Sequence, residues 1–162
     1  MGLSEVSEIL WQERQLLELL LFKLEEEQLV LSSGRTRWVT HATREVELVL
    51  EEINRAEVAR AVEVDATAAE IGLPAGPSLH QLVEAAEAPW RGILEQHRSA
   101  FRTITQEILA LAQVSGDALT RGERGTEEAL AWLGDSDAPI SAPPSDATSE
   151  TPETPPLVNE AR

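Results

Sequence analysis

Apolar residues recur at helical spacing along the first 120 residues or so, beginning with a ladder of leucines seven positions apart. The members of this ladder are Leu3, Leu10, Leu17, Leu24 and Leu31. A seven-residue repeat keeps one side of a helix against one partner. Ser4 is a suitable N-cap, and Glu5 and Glu8 follow it in the first turn of the helix. Ser32, Ser33 and Gly34 favour the end of the helix. The pattern therefore predicts a first helix from Ser4 to Ser32, with an apolar side too wide for one partner helix to cover.

A second helix is predicted from about Thr36 to Ile71, where apolar residues recur every three or four positions and Gly72 favours termination. The link between the two helices is only about three residues long, which predicts an antiparallel hairpin. Beyond Ala56 the pattern gives way to small and charged residues, so we expect the far end to fray or bend.

Two further helices follow a Gly- and Pro-rich turn at residues 72–77. Ser78 and Gln81 have the spacing of a capping box, which predicts a short third helix from Leu79 to Glu87. Pro89 suits the first turn of a long fourth helix that reaches about Leu119. The inner row of this helix is predicted to be Trp90, Leu94, His97, Phe101, Ile104, Ile108, Leu111, Ser115 and Ala118.

The predicted fold class is all-α: an elongated antiparallel hairpin plus a long C-terminal helix, in a coiled-coil-like bundle of three to four helices. Residues 121–125, RGERG, predict a flexible break, and Thr126 is predicted to cap a last short helix that ends at Leu133. Residues 134–162 hold six of the nine prolines and no aromatic residue. Such a segment buries too little to offset the entropy of ordering. We therefore predict a helical domain at 1–133 and a disordered acidic tail at 134–162.

Composition narrows the range of functions. The formal charge is −16, from 29 acidic and 13 basic residues, so nucleic acid and anionic membrane would repel the chain. The chain has no cysteine, which excludes disulfides and thiolate chemistry. Glu5 and Glu8 stand where a signal peptide needs bases, and no apolar run is long enough for membrane insertion. The simplest expectation is a cytoplasmic protein.

Candidate chemistry is sparse. His41, His80 and His97 lack a metal-binding spacing, and His97 is expected in the helical interior. The acidic run Glu25 to Glu27 is expected to be a solvated helix face. No nucleophile or phosphate-binding motif is present, so we predict neither an enzyme nor a cofactor.

The fourth predicted helix carries apolar residues outside its inner row, namely Ile93, Leu109, Val114 and Leu119, interspersed with arginines. A helix that is apolar on more than one side is either buried all round or has a partner. Pattern alone supports both interpretations equally: these residues cover the first two helices of a monomeric bundle, or they bind another protein.

Two stretches resemble the FlgN family of flagellar export chaperones. In the first, Leu17, Leu20, Leu21 and Leu24 precede Glu27, Leu31, a small turn at residues 32–34, and a charged second helix with Arg44, Glu45 and Leu50. In the second, residues 93–119 resemble the long C-terminal helix of the family. The resemblance spans roughly residues 5 to 120.

This resemblance implies a protein that holds hook-associated (hook-filament junction) proteins in the cytoplasm before type III export and delivers them to the flagellar export gate. It also implies that the terminal amphipathic helices of those clients bind the C-terminal helical region. The candidate contact residues are Leu94, Arg98, Phe101, Ile104, Ile108, Leu109, Leu111 and Val114. We expect a monomer or weak dimer, and Trp132 either moves with a C-terminal segment toward cargo or gate, or packs back on the bundle.

Two alternatives stay open at this stage. The leucine ladder permits an oligomeric coiled-coil scaffold or adaptor without an export client, although Glu13 and Glu27 interrupt the row at which a parallel zipper needs leucine. A helical phosphotransfer domain or enzyme would require one of the three histidines to be exposed and essential.

Overall fold

The computed structural model describes residues 2–115 together with residues 129, 132 and 133. Its elements are the helices α1 (Gly2–Ser32), α2 (Val39–Ile71), α3 (Leu79–Ala85) and α4 (Trp90–Ser115), with a 3-10 turn at Thr36–Trp38 before α2. These residues include no strand, so the predicted all-α class is confirmed. Within the same part of the chain, no helix is long and apolar enough to cross a membrane. The predicted break at 121–125 and the predicted tail at 134–162 lie outside the described residues.

The helix ends follow the local sequence signals. Gly72 ends α2 in the left-handed conformation, with φ of 78°, and its N–H donates to the carbonyl of Ala68. The predicted capping box opens α3: the Gln81 amide N–H donates to the Ser78 hydroxyl at 3.2 Å, and the Ser78 N–H donates to the Gln81 side chain at 2.8 Å. Both predicted signals are confirmed.

The third helix ends at Ala85, two residues earlier than predicted. The guanidinium of Arg91, in the first turn of α4, donates to the carbonyls of Ala86 at 3.0 Å and Glu84 at 3.1 Å. These two bonds satisfy carbonyl groups that a helix end leaves without a partner. Arg91 thereby fixes the end of α3 against the start of α4.

The second helix continues through the region where the sequence pattern weakens. Val64, Thr67 and Ala68 are all buried and helical, so the expected fraying is wrong. At this end, Gly2 approaches Thr67 so closely that a Cβ atom would overlap the Thr67 side chain. The first helix begins at Gly2 rather than Ser4, because its first turn packs against the end of α2.

Helix α1 lies between α2 and α4 and packs against both, whereas α2 and α4 barely touch each other. Leu10, Leu17 and Leu24 of the leucine ladder are buried in the core, but Leu31 is exposed. The middle of the ladder is therefore used within the chain and is not available to a second copy. This removes the main argument for a scaffold that oligomerises through it.

Candidate partner-binding site

Four of the eight predicted contact residues lie inside the bundle. Leu94, Phe101, Ile104 and Ile108 are buried and belong to the same core cluster as the α1 leucines. The predicted inner row of α4 is thus confirmed from Leu94 to Ile108, whereas the predicted row positions Ser115 and Ala118 and the predicted helix end near Leu119 lie outside the described side chains. A client can reach these four residues only by displacing the groups that cover them.

The other predicted contact residues lie at the edges of α4. Arg98 and Leu109 are half-buried and eleven residues apart, which places them on the same side of the helix. Leu111, also half-buried, packs against the core from the other edge. Arg98 pairs with Glu95 at 3.4 Å. Val114 is part of α4, but its side chain lies outside the described residues.

The expected apolar excess on α4 is not present as free surface among the described side chains. Ile93 and Leu109 are half-buried, because α1 covers one side of α4 and α3 packs against another with Leu79, Leu82 and Val83. The exposed large apolar side chains instead lie on the first two helices and the turn between them. They are Trp11, Leu19, Phe22, Leu29, Leu31, Trp38, Leu48, Val58, Val62 and Ile71.

A buried ion pair links α1 to α2. Nη1 of Arg60 donates to the two carboxylate oxygens of Glu13 at 2.8 and 2.6 Å, and both residues are buried. Burial raises the pKa of Glu13, and the charge and hydrogen bonds of Arg60 oppose this rise only in part. Desolvation dominates because both partners have lost nearly all contact with water. The interruption of an apolar row by Glu13 was the signal in the sequence that hinted at this pair.

Trp132 covers the ion pair from outside. Its ring lies 4.1 Å from the Arg60 guanidinium carbon and meets the ring of Phe101 edge-on, with centroids 6.4 Å apart. Leu133 is fully buried and Ala129 nearly so. We call the gap that they fill the α2–α4 groove, defined by Arg60 on one wall, Phe101 on the other and Glu13 at its base. Of the two expectations for Trp132, packing against the bundle is the one observed.

A family model described as FlgN protein matches residues 1–141 of the 162. The chain belongs to the FlgN family. The match spans all four helices and confirms the resemblance found in the two sequence stretches. Membership of the FlgN family supports a general role as a flagellar export chaperone. Searches among curated proteins and among solved structures found no match.

A buried histidine links two helices of this FlgN-family bundle. Nε2 of His97 lies 3.1 Å from the Ser7 hydroxyl, which joins α4 to α1, and the predicted interior position of His97 is confirmed. Burial lowers the pKa of His97, and the nearby positive charge of Arg14 adds to this effect. His41 and His80 are exposed. No group of three or more acidic or histidine residues in the described part of the chain is arranged to hold a metal ion.

The three glutamates of the acidic run on α1 differ in their exposure to water. Glu25 is exposed and Glu26 is half-buried, but Glu27 is buried and accepts a hydrogen bond from the Thr43 hydroxyl at 2.6 Å. The expectation of a solvated face is therefore wrong for Glu27, because the helix turns that position toward α2. This glutamate, one of the residues that carried the FlgN resemblance, helps to join the hairpin.

Proposed function

We propose that this FlgN-family protein is a cytoplasmic chaperone for flagellar type III export. In this proposal it binds the terminal amphipathic helices of hook-filament junction proteins, prevents their premature assembly and delivers them to the export gate. The observation that carries the proposal is the family match over residues 1–141, which includes every described helix. The chain acts by binding, without catalysis or a cofactor.

The proposed contact surface is centred on α4. Leu109 and Leu111 are accessible at its two edges, while Leu94, Phe101, Ile104 and Ile108 lie deeper. An amphipathic client helix that lays its apolar side along this region follows the usual helix-in-groove mode of peptide binding. A few buried anchors are expected to dominate the affinity.

The positive charge of Arg98 favours an acidic side chain on the client helix. Arg98 stands on the same edge of α4 as Leu109, about three turns away, and its ion-pair partner Glu95 is half-exposed. The half-exposed Glu95 carboxylate can turn into water, and an acidic group on the client helix then takes its place beside Arg98.

Leu109→Asp tests this binding face. The change places a charge at a half-buried edge, and we expect helix content to remain while affinity for a junction protein falls about tenfold or more. Isothermal titration with purified hook-filament junction proteins from the same organism gives the affinity, and circular dichroism verifies the fold.

The matched control is Ala110→Asp, since Ala110 is the exposed neighbour of Leu109 and the same charge is introduced there. This control should bind as tightly as the unmodified chain. Equal affinity of Leu109→Asp and Ala110→Asp would show that the contact surface lies elsewhere. Absence of binding by the unmodified chain to every junction protein would overturn the proposed function itself.

A further inference from the structure

Three residues near the C-terminus of the matched region share one side of a helical turn. Ala129, Trp132 and Leu133 are helical and stand at positions i, i+3 and i+4, the spacing that places side chains on one face. Leu133 and Ala129 are buried, and Trp132 is half-buried. The α2–α4 groove therefore already holds an apolar face made by these three residues.

The groove has features that favour an aromatic side chain. Glu13 holds the Arg60 guanidinium in place with two hydrogen bonds, and the ring of Trp132 lies over that guanidinium. A cation fixed below an aromatic ring attracts the negative face of the ring, and more strongly where water is excluded. Phe101 adds an edge-on aromatic contact from the opposite wall.

The gap between the walls follows from the packing of the helices. Helix α1 contacts both α2 and α4, whereas α2 and α4 barely contact each other. Removal of Trp132 and Leu133 would leave Phe101 and the Glu13–Arg60 pair open to water. An uncovered apolar wall beside an ion pair is costly, so some helix face is expected to cover this groove at all times.

We propose that the α2–α4 groove is the docking surface for a client helix that carries an aromatic residue next to a leucine, and that Trp132 and Leu133 occupy this groove until such a helix displaces them. The inference rests on the proposed function and specifies the partner of the same region. Phe101, one of the predicted contact residues, is the wall that Trp132 covers. The exchange replaces one ring with another and leaves little of the groove exposed.

When a segment of the same chain occupies the groove, a client can bind only those molecules in which the groove is open. The apparent affinity for the client is then reduced in proportion to that fraction. Trp132→Ala in the full chain weakens the competitor without changing the walls. We expect its affinity for a junction protein, measured by isothermal titration, to rise about tenfold. Trp11→Ala is the matched control, because it removes an exposed tryptophan on α1 and should leave affinity unchanged.

A second probe does not depend on the identity of the client. A synthetic peptide of residues 124–136, RGTEEALAWLGDS, should bind Trp132→Ala in trans and bind the unmodified chain at least about tenfold more weakly. A junction protein should then release this peptide from the variant. A peptide with Trp132→Ala in its own sequence should bind neither chain.

The unmodified chain provides a measurement that does not depend on how well a variant folds. Uniform 5-fluorotryptophan labelling gives fluorine signals for Trp11, Trp38, Trp90 and Trp132, and the Trp132 signal is assigned by its loss in Trp132→Phe. A saturating junction protein should move the Trp132 signal to a solvent-exposed shift. An unchanged Trp132 signal at saturation would overturn the inference.

The outcomes separate this inference from the proposed function. Binding of a junction protein with no gain in Trp132→Ala, or without release of the peptide, would overturn the shared groove and leave the chaperone function intact. A loss of stability in Trp132→Ala without a gain in affinity would mean that the segment is a permanent part of the bundle. Absence of any junction-protein binding would overturn both proposals.

Discussion

Helices α1 and α4 both carry long apolar rows, yet they differ in how much of their apolar surface stays exposed. Helix α4 packs against α1 and α3, and none of its described large apolar side chains is exposed. Helix α1 buries its leucines on one side but leaves Trp11, Phe22 and Leu29 exposed by 47%, 57% and 71% on another. Each helix has two helical neighbours, so its free apolar surface depends on where those neighbours lie around it and not on how apolar the helix is.

The outer side of α1 is partly shielded by its own charged residues. The guanidinium of Arg14 lies 4.9 Å from the Trp11 ring centre, and the Lys23 ammonium lies 5.4 Å from that of Phe22. Lys23 also bonds to Glu26 at 2.9 Å and to Glu45 at 2.7 Å. Long cationic side chains lay their stems over apolar surface while their charge stays in water. This arrangement reduces the apolar area that the hairpin presents to solvent.

Stability should change most when the same charge is placed on the two different sides of α1. Leu17→Asp buries a carboxylate in the core and removes a large apolar side chain, a change expected to cost about 4 kcal/mol or more. Such a loss is comparable to the whole stability of many domains. Leu19→Asp, at an exposed position two residues away, should cost less than about 1 kcal/mol. Urea unfolding of both variants tests the contrast, and similar losses would mean that α1 is not packed as described.

The next effect concerns the ion pair between α1 and α2. Arg60→Met leaves Glu13 buried without its partner and is expected to cost about 3 to 5 kcal/mol. The double variant Glu13→Leu with Arg60→Met removes both charges and should recover most of that loss. A double-mutant cycle from urea unfolding measures the coupling. A double variant as unstable as Arg60→Met would contradict the assignment of the loss to an unpaired charge.

The smallest change in stability concerns the pH dependence of the α1–α4 contact at His97. The pKa of His97 is lower in the folded chain than in the unfolded one, so the unfolded state binds more protons as pH falls through this range. The stabilising contribution of neutral His97 is therefore present above its ordinary pKa of about 6.5 and is lost as pH falls toward its folded value. The raised pKa of Glu13 acts in the opposite direction, with a contribution that is lost as pH rises.

His97→Gln isolates the histidine term, since Glu13 is unchanged in the variant. Between pH 7 and pH 5, the unmodified chain should lose more unfolding free energy than His97→Gln, because only the unmodified chain carries the histidine with the lowered pKa. Chemical unfolding at several pH values gives both curves. If the unfolding free energies of both chains changed with pH in the same way, the pKa of His97 would not be shifted by its position beside Ser7 and Arg14.

Local sequence signals were sufficient for the C-terminal ends of α1 and α2 and for the start of α3. Gly72, the Ser78–Gln81 capping box and the inner row of α4 from Leu94 to Ile108 all act as expected, because each depends on residues close together in the chain. The position of His97 in the interior followed from the same periodicity.

The contacts between helices were harder to predict, because periodicity identifies the apolar side of a helix but not which neighbour covers it. The pair Glu13–Arg60 joins residues 47 positions apart. The cover that α3 gives to α4 depends on the path of the Gly- and Pro-rich turn, which has no periodic signal. Trp132 was expected either to move or to pack on the bundle, and the sequence alone did not decide between the two.

The place of α1 in the middle of the bundle has a mechanical consequence. Because α2 and α4 each pack against α1 and barely against each other, α4 can separate from the core without breaking the pairing of the hairpin. A pulling force applied at the C-terminal end of α4 should release α4 first and leave α1 and α2 paired. The bundle would then unfold in two stages, in which α4 leaves α1 first and the α1–α2 hairpin separates afterwards.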